Sequence, residues 1–153
     1  MPNILMVGPS PESMGGIATV EKNMLEAAHR RGEEVTFLPT TIEGGNARKL
    51  ATAMVAYARY LRGLKSCDLV HVHMASRGSY LRKKVFIAAA ASHNKPVLLH
   101  LHGSEFAMWY DEECTEGQGV ISVKHFVSAA GLSFCPRSGG TSCSTGVFVI
   151  LSK

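Results

Sequence analysis

A chain of 153 residues has room for one globular domain with a real core and is too short for two of full size. Its net charge of +4 is modest, and the basic residues, Lys22, Arg30, Arg59, Arg82 and Lys83 among them, fall at helical spacings instead of one dense block with interleaved aromatics. That is the pattern of a solvated face and argues against a nucleic-acid partner, while the lack of any run near the roughly 18 apolar residues of a membrane span excludes a transmembrane segment.

The first predicted element is a strand over "NILMV", residues 3 to 7, which breaks into the Gly, Pro and Ser loop "GPSPESMGG". A helix follows, with Ile17, Val20, Met24, Ala27 and Ala28 at helical spacing, and "HRRG" ends it with basic residues and a glycine. "EVTFLP" reads as a second strand and "NARKLATAMVAYARYLRGL" as a second helix, with Leu50, Met54, Tyr57 and Leu61 on one stripe. "DLVHVHM" is a third strand, "SYLRKKVFIAAAASHN" a third helix rich in strong helix formers, and "KPVLLHLHG" a fourth strand. Strand and helix alternate, and the strands are near-continuous apolar runs of the kind buried on both faces. The fold class is therefore α/β, a partial Rossmann-like, doubly wound parallel sheet with helices on both sides.

Past Glu116 the text changes. No Asp or Glu occurs from Gly117 to Lys153, and "GLSFCPRSGGTSCSTG" has no period, so an irregular C-terminal tail is expected in place of the helix due after Phe106. The domain division is 1–116 for the Rossmann-like unit and 117–153 for the tail. "MPNILMVG" lacks the leader of a signal peptide, and the four cysteines form neither a Cys-x-x-Cys pair nor a dense framework. A cytoplasmic protein with free thiols is the expectation.

Three features carry chemistry. Gly15 and Gly16 open the first helix, where free N–H groups and the positive end of the dipole suit an anion, although the Lys-Ser/Thr of a P-loop and the full Gly-x-Gly-x-x-Gly are both missing. His71, His73, His100 and His102 form two His-x-His pairs at the carboxyl ends of strands three and four, where open α/β sheets place their ligand crevice. Imidazoles so gathered could begin a metal site, or one of each pair could be a hydrogen-bonded core residue while the other faces a polar ligand. The acids that metal-dependent hydrolases need at later strand ends are absent apart from Glu105, so no metal is assigned. Arg77, just beyond strand three, suits an anionic or polyhydroxylated ligand.

In this order and spacing, "ILMVGPSPESMGGIATVEKNMLEAAHRRGEEVTFLPT", "DLVHVHMASRGSYLRK" and "PVLLHLHGSEF" resemble the N-terminal, acceptor-side domain of family-4 retaining glycosyltransferases with the GT-B fold. The resemblance spans about residues 3 to 113. It implies transfer of a sugar from a nucleotide-sugar donor to a polysaccharide or glycolipid acceptor, with neither metal nor other cofactor. It also implies residue roles: Gly15 and Gly16 at the donor diphosphate, His102 as the catalytic-site histidine beside the transferred sugar, and His73, Arg77, Ser104 and Glu105 on the acceptor side. The family's second, donor-binding domain and its paired glutamates have no counterpart in these residues. The tail is expected to derive from a displaced reading frame and the fragment to be inactive alone. The location implied is cytoplasmic, with peripheral contact at the inner membrane left open. The alternatives are a stand-alone sugar- or nucleotide-binding module and a metal-dependent hydrolase built on the His-x-His pairs.

Overall fold

The computed structural model describes residues 1–42, 44–75 and 78–102, together with the backbone of 145–150. Strands β1 (Asn3–Pro9), β2 (Glu34–Thr41), β3 (Leu69–Met74) and β4 (Val97–His102) alternate with helices α1 (Gly16–Arg30), α2 (Asn46–Gly63) and α3 (Gly78–Ser92). The four strands are parallel, in the order β2-β1-β3-β4, and helices flank the sheet on both faces. The predicted α/β, partly Rossmann-like architecture is the one observed. Among the described residues no helix is long and apolar enough to cross a membrane.

Within the tail that was expected to be irregular, residues Thr145–Ile150 form a further strand, β5, antiparallel to β4 from Val97↔Ile150 to His102↔Thr145. The reason lies in "TGVFVI", whose branched and aromatic residues favour a pleated strand. Its backbone takes up the edge of β4 that would otherwise stand unpaired. The helix expected after Phe106 lies outside the described residues.

The register sorts the side chains into two faces. Val70, Val72, Met74, Val97 and Leu99 point to one side and join Tyr60 and Leu64 from the α2 region and Phe86, Ile87 and Ala90 of α3 in the main core. Tyr60 packs edge-on to Phe86 at 4.9 Å and donates its hydroxyl hydrogen to the Phe86 carbonyl at 2.7 Å, so this buried phenol is satisfied. Burying side chains of that size stabilises the fold by about 1.5–3 kcal/mol each. The opposite face carries Met6 and Gly8 of β1 with the four histidines, and α1 packs over it.

Two helices end on the same device. Gly32, at φ 69, follows α1, with the Glu33 N–H donating to Ala28 O at 3.0 Å and the Gly32 N–H to His29 O at 3.1 Å. Asn94, at φ 52, follows α3, with the Lys95 N–H on Ala90 O at 2.9 Å and the Asn94 N–H on Ala91 O at 3.0 Å. Both are Schellman ends, which turn the chain directly into the next strand.

One predicted stripe is corrected. On α2, Leu50 and Met54 are 63% and 66% exposed, Leu61 is exposed and Tyr57 half-buried, while Ala56 and Tyr60 face the core. Apolar residues wrap most of this helix, and the hydrogen bond from Tyr60 to α3 fixes which side turns inward.

Candidate functional site

The ladder that places the histidines also stacks them. His71 lies between Met6 of β1 and Leu98 of β4, and His73 lies directly beside His100. Residues two apart on a strand share a face, so all four imidazoles gather on the α1 side of the sheet toward its carboxyl edge. Ring centroids are 4.4 Å apart for His71 and His73, 4.8 Å for His73 and His100, and 4.3 Å for His100 and His102. His73 Nδ1 and His102 Nε2 share a hydrogen bond at 2.9 Å, one nitrogen donating and the other accepting. All four rings are buried, His73 completely.

Two charged residues that sequence reasoning had left aside complete the cluster. Glu21 of α1 is fully buried, with Oε1 3.9 Å from His73 Nδ1. It fits because residue 8 is glycine: a Cβ there would overlap the Glu21 carboxyl group. Lys83 of α3, counted with the solvated charges above, is instead 2% exposed. Burial raises the Glu21 pKa to about 8, against the lowering pull of Lys83. Burial likewise lowers Lys83 to about 8, against the raising effect of Glu21. The histidines are driven the other way from their usual behaviour as bases. Burial and then the neighbouring imidazoles lower His71 to about 4 and His73 to about 2. Burial, His100 and Lys83 lower His102 to about 4, and burial lowers His100.

At neutral pH the cluster is thus a set of neutral imidazoles beside a protonated carboxyl. Both Glu21 oxygens, His71 Nε2, His73 Nε2 and both His100 ring nitrogens have no hydrogen-bond partner among the described residues. Each orphaned polar atom in such a place costs about 1–3 kcal/mol. Unpartnered polar groups and displaced pKa values together make this cluster the candidate site among the described residues.

Gly15 and Gly16 stand where the anion site was expected. Gly15 is the N-cap of α1 at φ 141, a conformation that side chains resist, and Gly16 is the first helical residue. No side chain caps this end and no acidic residue occupies its first turn. A Cβ at either glycine would meet nothing within 4 Å, so the helix N-terminus is open to an incoming group. His73 and His102 are brought together. Arg77, Ser104 and Glu105 lie outside the described residues. Cys67 is a free, buried thiol, as expected of it.

The missed residues had left a trace. Glu21 falls three residues after Ala18 and three before Met24, inside the apolar stripe of α1, and Lys83 falls three after Tyr80 and three before Phe86. A charge inside a buried period is the signal that identifies both. Compared with models of protein families and with curated protein sequences, the chain matches none.

Proposed function

We infer that this chain is the acceptor-side domain of a retaining, nucleotide-sugar-dependent glycosyltransferase of the GT-B type. The observation that carries this reading is the pairing of His73 with His102 at adjacent strand ends, on a sheet whose first helix begins at an uncapped double glycine. A polyhydroxylated sugar needs closely spaced donors and acceptors, which neutral imidazoles provide in both senses. A diphosphate needs free N–H groups and a positive dipole end, which α1 offers at Gly15 and Gly16. On this reading His102 lies beside the transferred sugar and His73, Arg77, Ser104 and Glu105 face the acceptor, a growing polysaccharide or a glycolipid. The 153 residues supply one wall of the cleft. Transfer needs a facing, donor-binding domain, and residues 117–153 are read as a foreign, frameshift-derived tail.

Peripheral contact with the cytoplasmic membrane face has support of its own. Helix α2 turns Leu50, Met54, Val55 and Leu61 to solvent beside exposed Arg48, Lys49, Arg59 and Arg62, and has no acidic residue. An apolar stripe between cationic flanks suits an anionic lipid surface.

The reading is tested by saturation-transfer NMR on the full chain with a panel of nucleoside-diphosphate sugars and the free sugars. Expected is signal on sugar protons that His102→Ala removes, and on nucleoside diphosphates that Gly16→Val removes. A panel with no signal, or signals indifferent to both substitutions, overturns it. Stabilisation by a sugar or nucleotide with no transfer, even after a donor domain is supplied, favours the stand-alone binding module.

A further inference from the structure

The transferase reading uses His73 and His102 and leaves His71 and His100 without a task. One nitrogen from each of His71, His73 and His100 lies within 4.8 Å of the other two, and all three side chains are buried. Zinc–imidazole bonds of about 2.0–2.1 Å in a tetrahedral site hold the donors roughly 3.4 Å apart. The three donors would therefore draw closer together on binding.

Two further features fit the same occupant. First, the lone pairs are free: His71 Nε2, His73 Nε2 and both His100 nitrogens have no hydrogen-bond partner among the described residues. Second, the outer shell is in place. His73 Nδ1 is hydrogen-bonded to His102 Nε2 at 2.9 Å, in a pair where either nitrogen can donate, while His73 Nε2 has no partner among the described residues. That division between the two ring nitrogens is the usual one in metal-ligating histidines.

We propose that His71, His73 and His100 form a binding site for one Zn2+ ion, with His102 orienting His73 from behind. Three imidazoles without a thiolate or carboxylate in the first layer suit zinc, cobalt and nickel and disfavour magnesium and calcium. The site shares His73 and His102 with the transferase reading, but it is assayed with no sugar present, so failure of either reading is told apart from failure of the other.

The test uses the full chain, stripped with a chelator and desalted, then titrated with Zn2+ in competition with a chromophoric chelator. One equivalent per chain is expected. His71→Asn and His100→Asn, checked for folding by circular dichroism, should each weaken binding at least tenfold, and His29→Asn, on the exposed side of α1, should not. Zinc-edge X-ray absorption on the wild-type complex should show an imidazole-dominated shell, and Co2+ should give the intense visible bands of four-coordination. Sub-stoichiometric uptake, unchanged affinity in the two folded variants, or an oxygen-dominated shell overturns the site. If both variants fail to fold, the wild-type absorption spectrum decides alone.

Discussion

Glu21 and Gly8 are a matched pair, and the match can be broken from either side. Gly8→Ala adds one methyl group where the carboxyl already sits, so it should cost about 1–3 kcal/mol of stability in urea unfolding, the range for overpacking a closed site. Glu21→Ala in the same chain should recover most of that loss, which a double-mutant cycle measures. A Gly8→Ala penalty that persists unchanged beside Glu21→Ala would sink the steric account. Protonation gives a second prediction on the same residues. His71, His73 and His102 have folded pKa values below the ordinary 6.5, so the unfolded chain takes up protons first and stability falls as pH drops from about 6.5 toward 4. Glu21 runs oppositely. Its folded pKa is raised from 4.5 to about 8, so the folded state holds the extra proton and stability declines as pH rises toward 8. Below 6.5 three histidines outweigh one carboxyl, and between 6.5 and 8 the carboxyl leads, opposed as pH nears 8 by Lys83, whose folded pKa is lowered to about 8. The urea midpoint should peak near pH 6.5, and Glu21→Gln should abolish the decline on the alkaline side. A midpoint that stays flat from pH 5 to 8 contradicts both assignments.

At the level of elements, the helix ends and the inward faces separate what the sequence displays from what it withholds. "HRRG" announces the end of α1, because only glycine reaches φ 69 without strain. The end of α3 is less plain, since Asn94 holds the same left-handed conformation with a side chain. Asn94→Gly should leave the melting temperature unchanged or slightly raised, whereas Asn94→Ala should cost about 1 kcal/mol, because it keeps the Cβ and loses the short polar side chain that lets asparagine tolerate that region. Strands β1 to β4 were legible as short, largely apolar runs, and the helices by their periods, whereas β5 lay in a stretch expected to be irregular. The inward face of α2 was not legible, because apolar residues surround that helix and the choice is made by a partner, the Phe86 carbonyl that receives the Tyr60 hydroxyl. Tyr60→Phe removes that bond and should cost about 1 kcal/mol in urea unfolding. Glu21 and Lys83 were missed for the converse reason: charge was taken as a mark of the surface, and burial beside each other and the histidines overrode it.

For the whole molecule, the order β2-β1-β3-β4 with all four strands parallel is what makes a site from residues far apart in the chain. It sets His73 beside His100, and brings Glu21 and Lys83 toward them from helices on opposite faces of the sheet. The histidine pairs and their strand-end position could be read in advance; their mutual contact could not, because it needs the β3–β4 register. The same architecture leaves the basic, apolar stripe of α2 facing outward. Sedimentation with vesicles of phosphatidylglycerol should exceed that with phosphatidylcholine alone, and Leu50→Gln with Met54→Gln should reduce it severalfold. Equal sedimentation with both lipids counts against a membrane-facing α2.

The central claim is that the buried polar cluster is kept for a ligand and costs the fold stability. Its most direct test is the melting temperature of chelator-stripped, desalted wild type and His100→Leu, each with and without added Zn2+. His100 presents two orphaned nitrogens, and an apolar replacement of similar bulk removes both. The account predicts that His100→Leu melts higher than wild type and loses the ligand-induced rise. A variant that melts lower and keeps the full rise would show that the histidines serve packing, and would contradict the account.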